Sequence, residues 1–127
     1  MPTRTIKGNL DRLQVGSGAD PAITYLGVTA SGNVGDLFRA FRVTPTNAGS
    51  LIVRIDRSDA LLDLKVYQES NNGGTAPTGY FRYFNVAKAG KGKGAVAITA
   101  GAGTAYVVLL TFDEYSNASY TGSVTSA

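Results

Sequence analysis

Residues 50–56 read SLIVRID, so that Leu51, Val53 and Ile55 alternate with Ile52, Arg54 and Asp56. A few residues on, Leu62, Leu64 and Val66 alternate with Asp63, Lys65 and Tyr67. A period of two sends one set of side chains to each face of a strand. The same pattern, with β-branched and aromatic residues between turn clusters, predicts strands over residues 23–30, 37–44, 80–87, 94–100, 104–113 and 119–126. A weaker strand is expected within residues 3–8. The segment SDALLDLKVYQES, residues 58–70, is the sole candidate for a helix, and its apolar residues miss the three-and-four spacing a helix needs. Turn chemistry separates the strands: SGNVGD, TPTNAGS, NNGGTAPTG and GAG.

About eight or nine short strands at regular spacing predict an all-β fold, an antiparallel β-sandwich of jelly-roll type with no significant helix. One domain spans residues 1–127, and residues 1–13 are read as an N-terminal contact arm that could add a strand to a partner's sheet. The run AYVVLLTF is apolar at both parities. It is therefore expected at the centre of a sheet with both sides covered.

Composition narrows the chemistry. The chain has no cysteine and no histidine. That removes disulfides, thiolate nucleophiles, cysteine zinc sites and histidine acid–base catalysis. Carboxylates, Lys and Tyr remain, and no coherent acid–base set is visible among them, so no enzyme activity is expected. The net charge of +3 comes from 12 basic and 9 acidic residues spread along the chain, which does not favour nucleic acid as a partner. No apolar run approaches the roughly 20 residues of a membrane span. The opening MPTRTIKGNL has Arg4 and Lys7 but no apolar stretch behind them, so no signal peptide is read and synthesis in a host cytoplasm is expected.

Several short motifs invite a sharper reading. KAGKGKGA, residues 88–95, carries Lys88, Lys91 and Lys93 among glycines. A phosphate loop needs Ser or Thr after its lysine and a helix beyond, whereas Gly94 and a predicted strand follow here. The simpler reading is a hairpin tip, with contact to an acidic partner as the functional one. GAGTAY leads into a strand and lacks the third glycine of a dinucleotide fingerprint, so it reads as a turn. Asp56, Asp59 and Asp63, and the pair Asp113 and Glu114, are weak calcium candidates without EF-hand spacing. Solvated turns are the simpler explanation, and no metal or cofactor is assigned. The aromatic group Tyr80, Phe81, Tyr83 and Phe84 brackets Arg82; core packing with cross-strand pairs is the simpler reading, and a protein interface, where this composition is enriched, the functional one. With Arg4, Ile6 and Lys7 these residues and the three lysines form the set of partner-contact candidates.

Four stretches carry a family resemblance: GDLFRAFRV, GSLIVRID, LLDLKVYQES and GAGTAYVVLLTFDEYSNASYTGSVT. Over roughly residues 35–125 the chain resembles the bacterial pre-peptidase C-terminal domains, small β-sandwiches found beside secreted peptidases. Where the family carries a second Asp, this chain has Leu62, leaving Asp63. The resemblance implies a β-sandwich and a non-catalytic accessory role, binding a polymer or a protein partner.

The leading functional expectation is a structural protein of a large assembly, a bacteriophage virion component such as a capsid decoration protein. Its partners are copies of itself, a capsid protein or another virion protein. No membrane and no small-molecule substrate is expected. The alternative is the accessory binding module that the resemblance implies.

Overall fold

The computed structural model describes residues 1–9, 12–30, 37–58, 62–69, 79–82, 94–112 and 119–127. Ten strands lie in them: β1 (Thr3–Gly8), β2 (Leu13–Val15), β3 (Ala22–Ala30), β4 (Leu37–Thr44), β5 (Gly49–Ser58), β6 (Leu62–Gln68), β7 (Gly79–Arg82), β8 (Gly94–Ala100), β9 (Tyr106–Phe112) and β10 (Tyr120–Ser126). They form two five-stranded antiparallel sheets, the first ordered β2-β1-β10-β5-β8 and the second β3-β4-β9-β6-β7. With the outermost β2 and β3 set aside, the remaining strands read β1-β10-β5-β8 over β4-β9-β6-β7. The first and last strands pair, and most successive strands cross between sheets, which is the jelly-roll arrangement the sequence predicts.

Alternation builds the core directly. Leu51, Val53 and Ile55 of β5 point inward and meet Leu62, Leu64 and Val66 of β6, Phe41 and Val43 of β4, and Val108 and Leu110 of β9. All of these are essentially inaccessible to solvent. The phase slips once in β5. Thr121 pairs with Arg57 and Gly122 with Ile55, so Asp56 is an extra residue in the strand. This bulge turns Ser58 inward three residues after Ile55, and the burial along the strand follows it.

Two buried side chains depart from the apolar pattern. Arg39 of β4 is fully buried, on the same face as Phe41 and Val43. Tyr120 of β10 is buried opposite Gly8. Burial drives the Tyr120 hydroxyl pKa well above the ordinary phenol range; Tyr25 adds to the rise and the Arg39 charge opposes it.

The N-terminal segment differs from the expected arm. β1 pairs with β10 along its whole length and with β2 over Ile6–Gly8, so one edge of its backbone, and half of the other, is committed to the chain's own sheet. β2, three residues long, was not foreseen, because LQV is too short for a periodic signal. β9 is central in the second sheet, as its doubly apolar sequence predicts. Its outward residues Val107 and Leu109, however, are only half-buried rather than covered by a further layer. Among the described residues no helix is long and apolar enough to cross a membrane.

Candidate functional site

The outer face of the first sheet is the surface whose side chains can be followed across all five strands. Strand register places its side chains in rows across the strands. One row runs Gln14, Lys7, Thr121, Arg57. The next runs Thr5, Ser123, Arg54, Ala95, and the third Thr3, Thr125, Ile52, Ala97. Hydroxyls dominate the centre, and Thr3 and Thr125 hydrogen-bond across the strands at 2.9 Å. Cations gather toward one end, where Lys7 and Arg57 flank Thr121 with about 10 Å between them, two strand spacings.

Beside this end the surface dips. A groove of about 430 Å³ is lined by Thr5, Lys7, Gln14, Asp56 and Thr121 among others. A smaller one, about 250 Å³, takes in Lys7, Asn9, Arg12 and Ser119. Both are open, with Lys7 at the wall of each; the larger adds Asp56 and the apolar edges of Ile6 and Val15, and the smaller adds Arg12. They offer hydrogen bonds and positive charge to an incoming surface, but no apolar enclosure for a small molecule.

The outer face of the second sheet has a different character. Arg42 of β4 reaches past Val107 of β9 to Glu69, at the end of β6. The guanidinium donates from Nε to both carboxylate oxygens at 3.2 and 3.0 Å, and from Nη2 to Oε1 at 2.6 Å. The hydrogen bond and the opposite charge hold the Arg42 pKa above its ordinary value. The same hydrogen bond, reinforced by the Arg42 charge, depresses the Glu69 pKa. Both groups stay in contact with solvent, so this pair tethers strands rather than forming a reactive centre.

The partner-contact candidates separate into distinct groups. Lys7 is exposed on the hydroxyl-rich face. Ile6 is corrected: at 2% exposure it is a core residue, since it shares the inward phase of β1. Arg4 is half-buried and internally engaged. Its Nε and Nη2 donate to the Gly16 carbonyl at 3.1 and 2.9 Å, and Nη1 to the Pro21 carbonyl at 3.1 Å. It clamps β1 to the turn between β2 and β3. Tyr80, Phe81 and Arg82 lie in β7, paired in register with Lys65, Leu64 and Asp63. Tyr83, Phe84, Lys88, Lys91 and Lys93 lie outside the described residues.

The calcium candidates do not converge where they are described. Asp56 sits at the β5 bulge in the first sheet, and Asp63 lies in β6 of the second. Asp59, Asp113 and Glu114 lie outside the described residues, and among the described ones no three acidic groups gather. GAGTAY is a turn, as expected. Thr104 N–H donates to the Gly101 carbonyl at 3.3 Å, and Gly103 has φ +69°, the left-handed position such a turn requires. KAGKGKGA leads into β8, a strand.

Sequence reasoning missed Arg54, Arg57, Thr121 and Ser123. The available signal was hydroxyls at a spacing of two, Thr3 and Thr5 in TRTIK and Thr121, Ser123 and Thr125 in YTGSVTS. No family model and no curated protein matches the chain.

Proposed function

We propose that this protein is a non-enzymatic structural component of a large assembly, in first place a bacteriophage virion protein such as a capsid decoration protein. The observation that carries the reading is the outer face of the first sheet. Four strands present short hydroxyl and alanine side chains in rows, with Lys7, Arg54 and Arg57 toward one end. The short side chains keep these rows low, and a shallow surface of this kind fits another protein surface better than it fits a small molecule. The cations would steer the face to an acidic neighbour.

The accessory-module reading, by likeness to the pre-peptidase C-terminal domains, draws on the groove bearing Lys7, Gln14 and Asp56, which could receive a polymer chain. One experiment separates the two. Purified protein is sedimented through a density gradient with particles from its source, and in parallel with insoluble polysaccharides and collagen. Assembly predicts co-migration with the particles and no retention on the polymers. Retention on a polymer with no particle binding reverses the order of the two readings.

A further inference from the structure

A β-sandwich leaves four sheet edges, and each unpaired edge is a template for another strand. Among the described residues, two of the four edges are blunted, and a third, β7, is described over Gly79–Arg82 alone. β2 is only three residues long. β3 is longer, but its ladder is broken. Tyr25 pairs with Phe41 and Gly27 with Ala40, which leaves Leu26 as an extra residue, 42% exposed. A bulge of this kind twists an edge away from straight pairing.

The fourth edge, β8, has none of these devices. It runs seven residues, GAVAITA, with no charge and no proline. Its pairing with β5 is unbroken from Gly49↔Ala100 to Ile55↔Gly94. Among the described residues β5 is its only strand neighbour in the sheet. Ala95, Ala97 and Thr99 face outward and are exposed, while Ile98, on the inward face, packs against the core yet stays partly accessible. β7, which holds the contact candidates Tyr80 and Phe81, lies beside β8 at the same margin of the sandwich.

We propose that β8 is a self-association edge, pairing antiparallel with β8 of a second copy across a two-fold axis. This deepens the assembly reading and rests on it for its biological setting. Full overlap of Gly94–Ala100 with its mate puts the axis at Ala97. Ala97 then faces Ala97 of the second copy, Ala95 faces Thr99, and Val96 faces Ile98. The outward contacts are all small, and the inward pair is β-branched on both sides, a favourable cross-strand combination. A one-residue slip reverses the faces and is disfavoured. The two-fold makes the contact self-complementary and closes it at two copies. The first sheets fuse into one of ten strands, doubling the hydroxyl-rich face, and a strand without charges offers no repulsion to its own copy.

The test uses the absence of native cysteine. Opposed residues of an antiparallel pair have Cα atoms about 4.5–5.5 Å apart, within disulfide range. Ala97→Cys is expected to form a disulfide-linked dimer under mild oxidation, at least tenfold faster than Thr121→Cys, exposed on the central β10. Wild type is expected to run as a dimer in light scattering, and Ala97→Lys as a folded monomer, because two lysines then meet on the axis. Circular dichroism matching wild type verifies that Ala97→Lys is folded. Monomeric wild type at high micromolar concentration, with Ala97→Cys no faster than the Thr121→Cys control, overturns the proposal. Particle binding by such a monomer leaves the assembly reading standing, so the two failures are distinguishable.

Discussion

The Ile6 side chain sits at 2% exposure on the inward face of β1, while Lys7 beside it is exposed on the outer face. This single alternation decides the role of the first eight residues, which are core and sheet before they are contact. Ile6→Ala is expected to cost about 2–5 kcal/mol, as buried truncations do, measurable by urea denaturation of the isolated chain. A cost below 0.5 kcal/mol, roughly the level of an exposed site, returns the segment to the status of a detachable arm. Gly122 is the converse case. At the β5 bulge the strands approach so closely that a Cβ on Gly122 would run into the Arg54 carbonyl oxygen. Backbone must move to admit it, so Gly122→Ala is expected to destabilise by roughly 1–3 kcal/mol; an unchanged denaturation midpoint contradicts this. Glu69 yields a pH test. Its pKa is lowered in the folded chain by Arg42, so the pair's contribution is full above the ordinary value of 4.5 and is lost as pH falls through the depressed one. The gap in melting temperature between wild type and Glu69→Gln is therefore expected to be small, positive near neutrality, and to close on acidification. A gap that widens in acid refutes the assignment. None of these three roles is visible in the sequence. Ile6 and Lys7 read alike as an apolar and a basic residue in a weak strand, and Gly122 owes its importance to a bulge in another strand.

At the scale of elements, the sequence is most legible where alternation is clean. β5, β6 and β8–β10 fall where the period of two places them, and the doubly apolar β9 is central. Legibility fails where long-range pairing decides. β2 exists because Leu13–Val15 finds an open edge on β1, and nothing in three residues announces that. The Asp56 bulge exists because β10 and β5 slip past one another, although both sequences alternate. The candidate surface shares this split. Lys7 was found from sequence, while its row-mates Arg57 and Thr121 required the register of three strands. Arg4 looked like a surface cation and is a clamp, because the turn carbonyls of Gly16 and Pro21 come within reach only in the folded chain.

The whole molecule is a jelly roll whose two outer faces differ. One is hydroxyl-rich and cationic at one end; the other carries half-buried Val107, spanned by the Arg42–Glu69 pair, and half-buried Leu109 in the next row. That asymmetry suits a protein that seats one face on a neighbour. Lys7→Glu combined with Arg54→Glu reverses charge at two exposed positions outside the core. It is expected to weaken particle binding at least tenfold, most at low salt, while leaving the melting temperature within a few degrees. Unchanged binding moves the contact to another face. The central claim is that the chain is a built-in part of a particle. Quantitative mass spectrometry of gradient-purified particles from its source tests that claim most directly. The account predicts a fixed ratio of this chain to the major shell protein from one preparation to the next. Its confinement to the soluble fraction, with none in the particle band, contradicts it.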